Sequence, residues 1–378
     1  MKVLQVIAGM GINNGGPTAC TYILGKGLLK LGVDLKVLTF EPAEDDVLIA
    51  NDKFIETIKR PFELRFGYSK LYASMLKRQK IDIIHANGLW QYVSYCSAKH
   101  AFKNKTPFII SPHGMLYPEA LKISKYLKKG MLLAFQRTVL NKATIIHATC
   151  IQERDHIREL GLSAPVAIIP NPIELPNKHQ IIENNSEIKR IGFIGRFAPI
   201  KNLEILIDAW ALSGKNNMNT ELVLIGDGPL EYKKELKNKI ETLKIKNIVF
   251  TGFLKGLEKE QVMQTLTCLV LPSKSENFGM VVAEALSFNI PVIASKGSPW
   301  QDLEIHKCGW WIDIGVKSLK EALIDALQTN EKQLIKMGTN GRILIEEHYS
   351  RESVAKQMFE LYKWVLTKEN IPKFIDVL

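Results

Sequence analysis

The chain has 378 residues, 46% of them hydrophobic and 24% charged, which is more than one typical core needs and fits two packed domains without a long disordered tail. The formal net charge of +11 at pH 7 favours anionic partners: nucleotide phosphates, nucleic acid or an acidic membrane surface; a merely basic proteome is the plain alternative. Five widely spaced cysteines without a C-x-x-C fit the reduced thiols of a cytosolic protein, and exclude a disulfide framework or a zinc-site spacing.

Val3 to Ile7 reads as a buried strand. The N-terminus is too short for a signal peptide, and no apolar run reaches the ~20 residues of a membrane span, so any membrane contact is expected to be peripheral. A glycine-rich turn from Gly9 to Gly16 feeds a helix with Ile23, Leu24, Leu28 and Leu31 on its apolar face. Val33–Phe40, Ile81–His85, Pro107–Ser111, Thr144–Ala148 and Val166–Ile169 follow as further strands, most of them separated by helical stretches. The polar stretch 176–189 after Pro170-Asn171-Pro172 reads as a linker. The alternation then resumes with Arg190–Ile194, Leu222–Ile225, Ile248–Thr251, Cys268–Leu271, Val292–Ala294 and Trp310–Ile312. Arg351 to Thr367 is predicted as a long final helix.

Strands alternating with helices in two halves predict an α/β protein of two Rossmann-like, doubly wound domains facing a central cleft. Ligands in such sheets bind at the carboxyl ends of the strands. The expected domains are 1–175 and 188–350, with 351–378 packing back on the first.

Four segments after strands carry candidate chemistry. In Ser275-Glu276-Asn277-Phe278-Gly279 and the helix that follows, Glu276 and Glu284 stand eight positions apart. Eight helical residues rise ~12 Å, whereas paired hydrolase carboxylates stand about 5 to 9 Å apart. The pair suits an extended ligand better, with the N–H groups of Phe278 and Gly279 facing a phosphate; two solvated helix charges are the even alternative. In Gly195-Arg196 through Lys201-Asn202, two cations lie near a helix start that Asn202 is expected to cap, which suits a diphosphate. Two ordinary surface cations would look the same. The loop Gly11 to Thr18 fails the dinucleotide fingerprint at Asn14 but stays a donor-rich turn, with Gly15 and Gly16 able to approach a phosphate or sugar. His113, in Ser111-Pro112-His113-Gly114-Met115, sits at a strand end. A lone histidine is more often structural, but this one lies level with the other segments. No D-x-D, H-E-x-x-H, Walker A or G-x-S-x-G motif occurs.

Taken in order, Gly15-Gly16, His113, Gly195-Arg196 with Lys201, Gly226-Asp227-Gly228-Pro229 and the Glu276–Glu284 segment resemble the retaining GT-B glycosyltransferases of family 4 across nearly the whole chain. The resemblance implies that Arg196 and Lys201 bind the donor diphosphate. It implies that Glu276, with the backbone of Asn277, Phe278 and Gly279, holds the donor sugar and phosphate, and that Glu284 bonds the ribose. His113 would lie near the transferred sugar, Gly16 near the phosphate, and Gly226, Phe253 and Leu254 along the nucleotide, the last two near its base. His113, Glu276, Arg196 and Lys201 would be the catalytic set. The donor would be a UDP- or GDP-sugar, and no cofactor or metal is expected. Ser111 to Leu116, Pro299-Trp300-Gln301-Asp302-Leu303 and Cys308-Gly309-Trp310-Trp311 look like a bacterial subgroup that assembles surface polysaccharide, usually on lipid-linked acceptors. That implies a cytoplasmic enzyme, peripheral at the inner face of the membrane. Leu121 to Lys142, a predicted basic and apolar helix, is compatible with membrane contact, though such a helix more often packs on its own domain.

Three rival readings remain at this level. A nucleotide-sugar epimerase of the same architecture would need acid–base carboxylates around the sugar. An NAD-dependent oxidoreductase would use the first glycine loop and leave the second half unexplained. A nucleic-acid binder would need a basic stripe with exposed aromatics, and none is evident.

Overall fold

The computed structural model describes residues 1–61, 66–176, 188–214 and 219–377. The chain divides into two compact units, Met1–Glu174 with Ser350–Leu378, and Leu175–Tyr349. Of the stretch expected as linker, 177–187 lie outside the described residues.

The first unit is built on β1 (Lys2–Gly9), β2 (Asp34–Phe40), β3 (Ile55–Ile58), β4 (Ile83–Asn87), β5 (Phe108–Ser111), β6 (Ile145–Ala148) and β7 (Val166–Ile168). The second is built on β8 (Lys189–Ile194), β9 (Thr220–Ile225), β10 (Ile248–Gly252), β11 (Cys268–Leu271), β12 (Val292–Ser295) and β13 (Gly309–Ile312); β14 (Ile375–Asp376) returns to the first.

The first sheet runs β14-β7-β6-β5-β4-β1-β2-β3. It is parallel throughout except for β14, which pairs antiparallel with β7. Its short apolar runs feed two cores, because successive residues of a strand point to opposite faces. Ile83, Ile109 and Ile145 enter one core with Leu28, Met358 and Leu361. Their neighbours Ile84, Ile110 and Ile146 enter the other with Tyr72, Leu76 and Val93. On the first face the helices Gly16–Lys30 and Arg351–Thr367 touch closely at Gly27, where a Cβ would meet that of Ala355 at 2.6 Å. A larger residue at 27 would push the final helix off the sheet.

The second sheet, β10-β9-β8-β11-β12-β13, is parallel throughout. Strand order reverses between β1 and β4 in the first sheet and between β8 and β11 in the second. Each reversal opens a crevice at the carboxyl ends of the strands, the place where open α/β sheets bind ligands.

Several expectations need correction. The strand expected at Ile81–His85 is Ile83–Asn87, so it ends two residues later. Strands β3 and β14 gave no periodic signal, being four and two residues long. The segment Leu121–Lys142 is not one helix. A helix Pro118–Lys122 stops at Ile123, Ser124 takes a left-handed φ of 52°, and helix resumes at Lys125. It then continues through a π-helical stretch, Leu132–Gln136, to Lys142.

Candidate active site

In the second unit the loops after β8 and β11 meet. A 3-10 turn, Pro199–Lys201, carries the lysine, and Asn202 follows with φ 63°. Asn202 precedes the helix Leu203–Leu212 as expected, but its side chain does not cap it. Its amide instead donates to the Pro272 carbonyl at 3.1 Å, tying this turn to the loop after β11. The Lys274 N–H adds a bond to the Ile200 carbonyl at 2.8 Å.

This docking brings Lys201 Nζ onto Glu276 Oε1 as an ion pair. The two side chains are only 22% and 12% exposed. Ser273 Oγ donates to the same oxygen at 2.7 Å, and the Glu276 N–H donates to Gly297 O at 2.7 Å. Gly279, with φ 77°, opens the helix Met280–Ser287. The N–H groups of Phe278 and Gly279 have no hydrogen bond among the described residues. Their loop is tied down by the buried Trp300, which donates Nε1–H to Phe278 O at 2.5 Å. Phe278, Trp300 and Tyr349 also pack ring to ring, with centroids 5.1 to 5.7 Å apart.

Arg196 is exposed and makes no ion pair among the described residues. Gly226 lies buried where three loops cross. Its N–H donates to Gly252 O at 2.9 Å, its φ is 145°, and a Cβ there would collide with the Gly195 carbonyl oxygen. Phe253, just past β10, is 65% exposed, and Leu254 is half-buried. Glu284 lies about a turn into its helix, and Lys259 Nζ donates to it at 2.9 Å. Asn277 is half-buried between the glutamates. The structure thus joins Lys201 to Glu276 directly and sets Glu284 on a separate lysine.

In the first unit the loops after β1, β4 and β5 surround a cavity of about 210 Å³ lined by, among others, Gly9, Asn14, Thr18, Arg60, Asn87 and Met115. Gly15 and Gly16 are exposed at the start of the helix beside it. Asn14, where a third fingerprint glycine would stand, accepts the Gly11 N–H at 2.9 Å and fixes the turn. His113 has φ 52° and donates Nε2–H to Asn87 Oδ1 at 3.0 Å. That leaves Nδ1 as an acceptor. Both His113 Nδ1 and Asn87 Nδ2 are buried without a partner among the described residues. Burial, with a smaller contribution from His147, pushes the His113 pKa down to about 3. The ring is therefore neutral at pH 7.

Behind this loop runs a buried polar chain. His147 Nε2–H donates to Ile169 O at 2.8 Å, so its Nδ1 accepts from Ser111 Oγ at 2.7 Å. Ser111 in turn accepts from His85 Nε2, and His85 Nδ1 accepts from Tyr362, each at 2.7 Å. Burial pushes His85 well below the usual imidazole range and His147 to about 4. The chain stays neutral and pins Ser111, from which the His113 loop departs.

The family model for Glycosyltransferase Family 4 matches residues 14–176, and that for Glycosyl transferases group 1 matches 175–343. The chain belongs to the GT-B glycosyltransferases of family 4. The transferase is 23% identical to O-antigen chain mannosyltransferase C of Escherichia coli, over 94% of this chain and 96% of that one. It is 26% identical to alpha-monoglucosyldiacylglycerol synthase of Streptococcus pneumoniae, over 81% and 71%. Among solved structures, Anabaena Alr3699/HepE in complex with UDP and glucose superposes with a TM-score of 0.73 at 19% identity, covering 96% of this chain and 99% of that one. That likeness shows the fold alone.

Three residues of the candidate site were not expected from the sequence. Asn87 lies just past Ile81–His85, the run whose apolar residues mark the strand in the sequence. Ser273 and Lys259 reach the glutamates only through the tertiary fold, although a serine three residues before Glu276 is a weak local signal.

Proposed function

We propose that the transferase moves a sugar from a nucleoside-diphosphate sugar, UDP- or GDP-linked, to a saccharide acceptor on the way to a surface polysaccharide or glycolipid. Retention of configuration and independence of a metal are part of the proposal. The observation that carries it is at the second switch point: the Lys201–Glu276 ion pair and the N–H groups of Phe278 and Gly279, which have no partner among the described residues, with Arg196 exposed in the loop after β8 as a second cation. Cleaving the sugar–phosphate bond builds positive charge on the sugar and negative charge on the diphosphate. Preorganised cations and N–H donors stabilise the latter, and one such donor is worth about 3 to 4 kcal/mol. Lys201 would shift from Glu276 to the diphosphate. The freed carboxylate would then accept from sugar hydroxyls. The leaving phosphate would take the acceptor's proton as the new glycosidic bond forms, so no enzyme nucleophile is required.

The names of similar proteins support the substrate class: one is an O-antigen mannosyltransferase, one a glucosyldiacylglycerol synthase, and one was solved with UDP and glucose. Among the described residues no helix is long and apolar enough to cross a membrane. The segment 118–133 nonetheless exposes Ile123, Tyr126, Leu127 and Leu133 beside Lys122, Lys125 and Lys129. That combination supports peripheral contact with an anionic membrane and, with it, a lipid-linked acceptor.

The test is turnover of a panel of UDP- and GDP-sugars, with and without EDTA, reading released nucleoside diphosphate. Release from one donor, unaffected by EDTA, is expected. Release from none would overturn the reading, and return of an epimerised nucleotide sugar would replace it.

A further inference from the structure

Glu153 is fully buried in the first unit, at the third position of the helix Ile151–Glu159. No lysine or arginine pairs with it among the described residues; three hydrogen-bond donors hold it instead. Oε2 accepts the Thr149 N–H at 2.8 Å and the Thr149 hydroxyl at 2.9 Å. Oε1 accepts the Gly114 N–H at 2.6 Å. Burial pushes its carboxyl up, and the Thr149 and Gly114 donors oppose that.

Helix capping accounts for Oε2, since a glutamate at this position commonly reaches back to the chain just before its helix. It does not account for Oε1, which leaves the helix for a loop 39 positions away in sequence. That loop is the turn Pro112–Met115, closed by Met115 N–H on Pro112 O at 3.2 Å. Its central residues, His113 and Gly114, have φ 52° and 77°. Two successive positive φ values are the pattern of a type I′ turn, which a non-glycine residue such as His113 adopts at a cost. The turn's own hydrogen bond leaves the Gly114 N–H unused, and Glu153 takes it. Relaxing both residues to the negative φ of an ordinary turn would swing that N–H away from the buried Glu153 and take the Gly114 donor from Oε1. The carboxylate therefore selects the turn that aims the His113 ring at Asn87.

We propose that Glu153 is a positioning residue of glycosyl transfer: its buried carboxylate, bonded to Gly114, holds His113 in the left-handed turn the reaction uses. This rests on the reading of His113 as a group beside the transferred sugar. The requirement is for an acceptor on both oxygens. Glutamine would always set its NH₂ against Gly114 or against Thr149, so Glu153→Gln should release the loop although it is isosteric.

The experiment is a double-mutant cycle, measured with the nucleotide sugar that the wild type turns over in the UDP/GDP panel. Glu153→Gln is expected to lower kcat about 100-fold, the scale of a displacement of about 1 Å, with the donor KM within about two-fold. His113→Ala should lose a similar factor, and the double variant should fall no further than His113→Ala within about two-fold. Thr149→Val, which removes only the hydroxyl donor, should keep wild-type kcat. If Glu153→Gln does not fold, Glu153→Asp replaces it. The shorter side chain keeps an acceptor-only carboxylate near Thr149, withdraws from Gly114, and should show the same kcat loss. Unchanged kcat in these variants, or losses that multiply in the double variant while His113→Ala alone is impaired, would overturn the role of Glu153 and leave that of His113 standing. A fully active His113→Ala would overturn the reading beneath it.

Discussion

In the second unit the candidate carboxylates are already paired, Lys201 on Glu276 and Lys259 on Glu284, whereas in the first unit the candidate polar atoms, His113 Nδ1 and Asn87 Nδ2, are buried with no partner among the described residues. The two arrangements suit different ligands. A charge pair exchanges partners when a diphosphate arrives, so binding there should be electrostatic and weakened by salt. An orphaned donor and acceptor carry a standing cost of about 1–3 kcal/mol each, which a hydroxyl-bearing ligand relieves. The first unit is thus built for neutral hydrogen bonding, with its histidines held uncharged by burial.

Removing one member of the charge pair breaks the comparison most severely. Lys201→Ala and Glu276→Ala should each lower kcat by about 10²–10³ while the thermal midpoint stays close to that of the wild type. Steady-state kinetics beside a melting curve checks this, and full activity in either variant removes the pair from the mechanism. Replacing the exposed Lys125 and Lys129 by Gln should weaken binding to phosphatidylserine-containing vesicles about 30-fold, at roughly 1 kcal/mol per lysine, with donor turnover unaltered. Equal binding of both proteins in a sedimentation assay would take the membrane away from the first unit. Gly226→Ala should destabilise the second unit by about 1–3 kcal/mol through the collision with Gly195 and leave the first unit's unfolding in place. Hydrogen exchange resolved by unit tells these apart.

The last contrast between the units is set by pH. His113 and His147 titrate at about 3 and about 4 in the folded chain, against about 6.5 when unfolded. Between those values the unfolded state binds more protons, so stability rises with pH. Their contribution is complete above about pH 6.5 and is lost as pH falls toward 4 and then 3. Amides of the first unit should therefore lose protection before those of the second as pH drops below 6. The reverse order would mean that the buried histidines do not set acid sensitivity.

Much of this was legible in the residues. The two β/α alternations, and the placing of Glu276, Lys201 and His113 after strands, follow from period and turn chemistry alone. What escaped notice depended on distant partners. Asn202 looked like a helix cap, but its amide is taken by a carbonyl 70 positions on. Glu284 looked like a free ligand group, but Lys259 reaches it from another helix. The break at Ser124 lies between Lys122 and Lys125 with no glycine or proline to mark it. Asn87 was lost because an apolar run shows a strand's core and not its last polar residues.

The central claim is that Lys201, paired with Glu276, holds a nucleoside diphosphate at the second sheet's switch point. Calorimetric titration of UDP and of GDP into the wild type and into Lys201→Ala, both with EDTA, tests it most directly. The account predicts that one of the two nucleotides binds the wild type and that Lys201→Ala binds it about 10- to 100-fold more weakly, the value of a charge-assisted hydrogen bond. Equal affinity in the two proteins, or no binding of either nucleotide, would contradict it.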